Sequence, residues 1–356
     1  MTDIKAVLKD AEKKGASDVH ICVGASIRYR IHGSLQDTGL PASTASDTLA
    51  ILLSLIDQDQ RERFEKKGEI DIGVCVGEGR YRVNAFKQRG NITIVIRIFD
   101  TVLPDAGELL IPGPVLDLCR LQKGLVVISG PSGSGKSTIL ATLLDRINSE
   151  RSCSIITLED PIEYLHTHKL SIVNQREIGI DSSSYEDGLR SAIREDPDVI
   201  FLSRTADKKS ILLMLRAVEM GKLVFTTSYT PSTVEAVDSM VSYFSRDEEA
   251  MIRGRLSACL EGVVSRQLLQ SLDGTRKPVY EILLCEKNVR EAIKKGDDTE
   301  LENLIKKGHD KGMYLMDESI LGLFLKGALS ESSAVKNAND PDRMKLALAA
   351  YSSKQK

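Results

Sequence analysis

Between Gly130 and Ser137 the chain reads Gly-Pro-Ser-Gly-Ser-Gly-Lys-Ser, a complete G-x-x-x-x-G-K-[ST] spacing. Glycines at these intervals let backbone N–H groups close around phosphate oxygens. Lys136 adds a cation at the β- and γ-phosphates, and Ser137 offers a hydroxyl to Mg²⁺. The expected nucleotide contacts are therefore Ser132, Gly133, Ser134, Gly135, Lys136, Ser137 and Thr138, with ATP as the ligand and Mg²⁺ as its ion. An apolar run at 125–129 leads into the loop as a strand. Ile139, Leu140, Leu143, Leu144 and Ile147 recur at helical spacing behind it, which places the anion at a helix N-terminus.

The elements around this loop must fit a chain of 356 residues, enough for two or three domains, with 42% apolar and 28% charged residues, the composition of an ordinary globular protein. A formal charge of −3 supplies no long-range attraction to nucleic acid, which is not an expected partner. The six cysteines are scattered without a C-x-x-C pair, which argues for a reducing compartment and against structural zinc. Residues 1–15 read as a charged amphipathic helix rather than a signal peptide, and no segment approaches the ~18 apolar residues of a membrane helix. The expected location is cytoplasmic.

Along the first hundred residues, Val19, Ile21 and Val23, then Ile27, Tyr29 and Ile31, alternate as half-buried strands do, and His32-Gly33 closes a hairpin. A helix starting near Ser43 or Ser46 carries Leu49, Ile51, Leu52, Leu55 and Ile56; strands resume at 70–76, 80–87 and 92–99. Residues 101–114 hold Pro104, Pro112 and Pro114 without periodicity, as an interdomain linker would. Beyond them, apolar runs at 125–129, 154–158, 199–202 and 223–227 alternate with helical segments, the pattern of a parallel sheet covered by helices. From about Val289 only helices are expected, among them 299–307 and 319–326.

At 155–163 the chain reads IITLEDPIE, followed by NQRE at 174–177 and LRSAIREDPDVI at 189–200; ASDVH stands at 16–20, RYRVNAF at 80–86 and NVREAIKK at 288–295. In order and spacing this resembles the secretion ATPases of the type II/IV secretion system protein E family, and within them the PilT-like type IV pilus retraction ATPases. The resemblance covers nearly the whole chain, without the tetracysteine motif or long N-terminal extension of the pilus extension enzymes. It implies an α/β protein with a PAS-like N-terminal domain (1–100), a linker (101–114), a RecA-like phosphate-loop domain (115–288) and a C-terminal helical region (289–356). It also implies a homo-hexameric ring that works with an inner-membrane pilus platform protein and lies peripherally at that membrane. By the same resemblance Glu163 matches the general base that activates water, and Arg80, Arg82 and Arg97 match basic N-domain positions that reach toward nucleotide.

Three positions depart from the family pattern. After the run at 199–202 the family has Gly-Glu, whereas this chain has Ser203-Arg204; the AGH or TGH segment becomes Met220-Gly221-Lys222; and the T-x-H-T box becomes Thr227-Ser228-Tyr229-Thr230. Both family histidines are absent, and a guanidinium stands where a metal-side carboxylate is expected, with Glu159 or Asp160 left to supply that carboxylate. At about 5 Å and an effective dielectric near 20, one unit charge acts on another with roughly 3 kcal/mol, enough to weaken metal-assisted turnover while sparing phosphate binding. Two readings follow: a hexameric ATP-binding pilus motor with slow hydrolysis, or a catalytically degenerate nucleotide-binding paralogue that regulates or co-assembles with an active ATPase.

Overall fold

The computed structural model describes residues 3–77, 79–99, 102–205 and 207–354, the last three without side chains. Thr101, which opens the expected linker, and Ala206, in the segment after Arg204, lie outside them. The chain divides into two compact units. One holds the described residues up to Leu103 together with Pro161–Leu165; the other holds Pro104–Asp160 and His166 onward.

The first unit is built on a sheet of β1 (Asp18–Ile21), β2 (Arg28–Ile31), β3 (Ser34–Asp37), β4 (Glu69–Val76), β5 (Gly79–Gln88) and β6 (Asn91–Phe99). Their order is β3-β2-β1-β6-β5-β4, and every neighbouring pair is antiparallel. His32 and Gly33 form the two-residue β2–β3 turn with φ of 49° and 83°, the paired positive values that match strand twist. Alternate residues Val19, Ile21, Tyr81, Val83, Ala85, Ile94 and Ile96 share one core with Leu8 of helix Ile4–Lys13 and Leu52 of helix Ala45–Leu55. Thr44 caps the latter helix in a reciprocal box with Asp47. The first expected strand is shorter than its apolar pattern, since Val23 makes only an isolated bridge to Ser43.

The second unit carries β7 (Gly124–Ser129), β8 (Ser154–Glu159), β9 (Ile172–Glu177), β10 (Val199–Leu202), β11 (Leu223–Thr227), β12 (Leu260–Gln270) and β13 (Arg276–Leu284), in the order β13-β12-β7-β11-β10-β8-β9. All neighbours are parallel except β12 and β13, which form an antiparallel hairpin at one edge. The four expected parallel strands are present, and the sheet is extended beyond them by β9 and by this hairpin. Those additions lack a continuous apolar run: β9 is an edge strand with four polar residues and an exposed Ile172, and Arg266 and Gln267 interrupt β12.

Period-two geometry sends Leu125, Val127, Ile156, Leu158, Ile200, Leu202 and Val224 into one core, with helices such as Lys208–Glu219 and Arg246–Cys259. Val126, Ile128, Ile155, Val199, Phe201, Leu223 and Phe225 enter the other, against helix Lys136–Glu150. Phe201 and Phe225 stack there with ring centroids 4.7 Å apart. Burial on both faces explains why these strands read as continuous apolar runs. Burial also pushes the Cys119 and Cys285 thiols up to about 12, so they behave as inert core groups. Past β13 the named elements are helical, including Asp298–Lys307 and Met316–Leu325. Met316, Ile320, Leu329, Ala334, Met344 and Leu348 pack with Leu269 and Val279 of the edge hairpin in a separate small core.

Glu281 of β13 ties this region together. Its buried carboxylate accepts from the backbone N–H of Thr233 (2.6 Å), the Thr233 hydroxyl (2.7 Å) and the N–H of Met316 (3.0 Å), so one side chain caps the first residues of helices Thr233–Val241 and Met316–Leu325. Glu281→Ala leaves three donors unpaired and is expected to cost about 3 kcal/mol or more, read from the urea midpoint. Burial raises the Glu281 carboxyl above its ordinary range despite these hydrogen bonds. The native state thus holds the proton to higher pH than the unfolded chain, and the stabilisation is full below the ordinary carboxylate range and declines as pH rises through the native value. Glu281→Gln lacks that slope. The wild-type advantage over Glu281→Gln should therefore shrink as pH is raised from acid toward neutrality, and a pH-independent difference would contradict this account.

Candidate functional site

The parallel strands β7, β8, β10 and β11 end together at Ser129, Glu159, Leu202 and Thr227, and the segments that follow them make the site. The loop from 130 to 135 joins β7 to helix Lys136–Glu150. Gly130 and Gly135 have φ of 141° and 84°. A Cβ on Gly130 would lie 2.2 Å from the Arg266 carbonyl oxygen and 2.7 Å from Ser134 Oγ, and one on Gly135 would lie 2.3 Å from Arg266 Nη1. Glycine is needed at both positions by conformation and by space. Lys136 is buried and donates to the carbonyls of Gly130 (2.7 Å) and Pro131 (2.9 Å).

The residues expected to line the nucleotide fall together on this loop: Ser132 and Gly133 are exposed, Gly135, Ser137 and Thr138 half-buried. Ser134 Oγ is buried without a hydrogen-bond partner among the described residues, and it fits a ligand oxygen. The glycine cradle, the helix N-terminus and Lys136 likewise fit a polyphosphate.

Tyr229, in the loop after β11, lays its exposed ring over Lys136 with the ammonium 4.2 Å from the centroid. That loop is fixed from below, since Ser129 donates to the Thr230 carbonyl and the Ser228 N–H donates to the Ile128 carbonyl.

Beyond β10, Arg204 donates to Asp160 Oδ2 at 3.0 Å and lies 5.7 Å from the centroid of the Tyr185 ring. The Tyr185 and Ser203 hydroxyls are hydrogen-bonded to each other, and burial pushes the Tyr185 phenol up to about 12. Glu159 Oε1 accepts from Thr157 Oγ1 (2.6 Å) and Gln175 Nε2 (3.0 Å). Of the two carboxylates expected to face a metal, Asp160 is thus paired with Arg204, and Glu159 is bonded within the sheet. Among the described residues no three His, Cys, Asp or Glu side chains gather as a metal site. The protein side offers Ser137 to Mg²⁺ but no carboxylate set, so these residues do not fit a protein-held divalent cation.

The remaining predicted residues lie elsewhere. Lys222 immediately precedes β11, at the strand ends opposite the phosphate loop, and pairs with Asp196 at 3.4 Å. In the first unit, Arg82 makes a two-point pair with Asp71 (2.8 and 2.6 Å), Arg97 donates to Asp18 (3.0 Å), and Arg80 donates to the Ile162 carbonyl (3.1 Å). Glu163 is half-buried in the Pro161–Leu165 segment that clusters with that unit. The sequence does not single out Arg266 or Tyr185; a charged residue inside the apolar run of β12 is the available signal for the first. Tyr229→Ala frees the Lys136 ammonium from a contact of about 0.5–2 kcal/mol that an arriving phosphate must displace. Calorimetry with ADP should show binding about 2- to 30-fold tighter than wild type. Weaker binding would mean that the ring holds the ligand instead.

The sequence profile of the Type II/IV secretion system protein family matches residues 1–278. The chain is 35% identical over 341 residues to the type IV pilus retraction ATPase PilT of Pseudomonas aeruginosa, covering 96% of this chain and 99% of that protein. It is 34% identical over 317 residues to a twitching motility protein of Neisseria gonorrhoeae, covering 88% of this chain and 85% of that protein. The crystal structure of the pilus retraction motor PilT with bound ADP superposes with a TM-score of 0.89 at 36% identity, covering 96% of this chain and 99% of the other. The α/β architecture, an antiparallel N-terminal sheet domain followed by a RecA-like domain, is shared with that motor. A profile match over most of the chain, with end-to-end similarity in sequence and fold, makes this protein a member of the type II/IV secretion system protein family, similar within it to the type IV pilus retraction ATPases.

Proposed function

We propose that this chain is a PilT-like, hexameric, ATP-binding motor protein of the type IV pilus machinery, serving retraction and twitching motility with slow ATP turnover. The observation that carries the reading is the glycine-bracketed loop with buried Lys136 and unpartnered Ser134, set in a chain similar over 96% of its length to a retraction ATPase. Lys136 and Ser137 take the β- and γ-phosphates, and the helix behind them contributes its N-terminal N–H groups. Glu163 is the candidate base for the attacking water. Arg82 and Arg97 serve the nucleotide only if their pairs with Asp71 and Asp18 open. The domain reading keeps a PAS-like unit before the linker and the RecA-like unit after it. No helix among the described residues is long and apolar enough to cross a membrane, so docking on an inner-membrane pilus platform protein would go through partners.

Slow turnover is the sense of the Arg204–Asp160 pair, which neutralises one of the two candidate metal-side carboxylates. The same pair favours a second reading, a nucleotide-holding paralogue that co-assembles with an active ATPase. Removing one well-placed electrostatic or acid–base group costs about 10²- to 10⁴-fold in rate.

Steady-state ATP hydrolysis by the purified chain, with Lys136→Ala as blank, separates the readings. Turnover above the blank, raised about 10-fold or more by Arg204→Glu, is expected of a slow motor. Turnover equal to the blank, with ADP still bound, would leave the co-assembling paralogue. Light scattering with added nucleotide should return six chains, and a monomer under all conditions would count against the ring.

A further inference from the structure

Arg266 stands in the middle of a buried strand and retains only 3% of its surface. Its backbone and its side chain both press on the phosphate loop: the carbonyl oxygen closes the space beside Gly130, and Nη1 fills the space beside Gly135 while donating to the Gly135 carbonyl at 3.1 Å. The guanidinium lies 5.8 Å from the Tyr280 ring centroid. It makes no ion pair with a carboxylate among the described residues, and its Nε is buried without a hydrogen-bond partner. A buried cation left without an anion is costly, and a protein that keeps one beside a phosphate loop has placed there a charge that an anionic ligand would answer.

We propose that Arg266 is a positioning residue of the phosphate site, fixing the loop through Gly135 and adding a permanent positive charge that lets the loop take a di- or triphosphate without a divalent cation. The inference rests on the nucleotide reading given above and adds to it the residue and the charge on which polyphosphate affinity depends. Three features agree with it. Desolvation works against the charged guanidinium in the protein alone, so an approaching anion relieves an existing strain. The Asp160 carboxylate that would attract a metal is taken by Arg204. Ser134, whose buried hydroxyl also lacks a partner among the described residues, stands 2.7 Å from the same Gly130 Cβ position that the Arg266 carbonyl crowds.

The test is calorimetric binding of ADP and of AMP to the full chain in EDTA, at low and at physiological salt, for wild type, Lys136→Ala, Arg266→Lys and Arg266→Gln, with thermal unfolding as the check on folding. Wild type is expected to bind ADP in EDTA with an affinity that falls as salt rises. Arg266→Gln should weaken ADP by about 10-fold or more at low salt and flatten the salt dependence, leaving AMP nearly unchanged. Arg266→Lys should keep the salt dependence with weaker affinity, because its charge remains and the bond to Gly135 does not. An Arg266→Gln protein with wild-type affinity and salt slope overturns the proposal, as does an equal loss for ADP and AMP at unchanged slope, which marks a purely structural strut. Should Arg266→Gln fail to fold, Arg266→Lys decides: wild-type affinity overturns the proposal, and weakened affinity with a retained slope supports it. ADP binding by wild type only with Mg²⁺ overturns this inference and leaves the nucleotide reading standing. No ADP binding with or without Mg²⁺ removes both.

Discussion

Burial of the parallel strands on both faces is the constraint from which the second unit follows. Leu125 and Val127 go to one core and Val126 and Ile128 to the other, and β8, β10 and β11 divide their side chains in the same way. Strands so enclosed can offer their polar neighbours only at their ends, and parallel strands finish at one common edge. The phosphate loop, Glu159-Asp160, Ser203-Arg204 and the Tyr229 loop are brought together there although they are spread over about a hundred residues of sequence. Lys222 shows the converse: only one residue from β11, it belongs to the opposite edge and pairs with Asp196.

At that edge the balance of charge is unusual for a site expected to use a metal. Arg204 answers Asp160, Arg266 has no carboxylate partner among the described residues, and Lys136 donates to two carbonyls beneath the Tyr229 ring. Hydrolysis needs an oriented base and a balanced charge at the γ-phosphate, whereas retention needs only a positive cradle, so the two tasks make different demands on this edge.

The edge hairpin links this site to the rest of its unit. β12 pairs with β7 directly and places Arg266 against the loop, while β13 carries Glu281, which caps two helices, and Val279, which enters the C-terminal core. The loop, the hairpin and the C-terminal helices are therefore mechanically continuous. Gly135 is joined to β12 by the hydrogen bond that Arg266 Nη1 donates to its carbonyl.

Much of the architecture was legible in the residues themselves. Periodicity marked the alternating strands of the first unit and the four parallel strands of the second, because burial on one face or two leaves its own pattern of apolar residues. The phosphate loop was legible because its chemistry needs fixed residue types at fixed short spacing. The edge hairpin and β9 were not, since edge strands are held by backbone pairing to neighbours far away in sequence and carry a weaker apolar signal. The partners of the charged residues were equally hidden: nothing local in Ser203-Arg204 names Asp160, and nothing in VVSRQLL names Gly135, because those contacts join positions 44 and 131 residues apart. The sequence by itself determined which groups could bind phosphate and which charged residues stand near them in the chain. Only the tertiary structure decided which of those charges pair with one another, because electrostatic energy depends on distance and burial in space and not on separation along the chain.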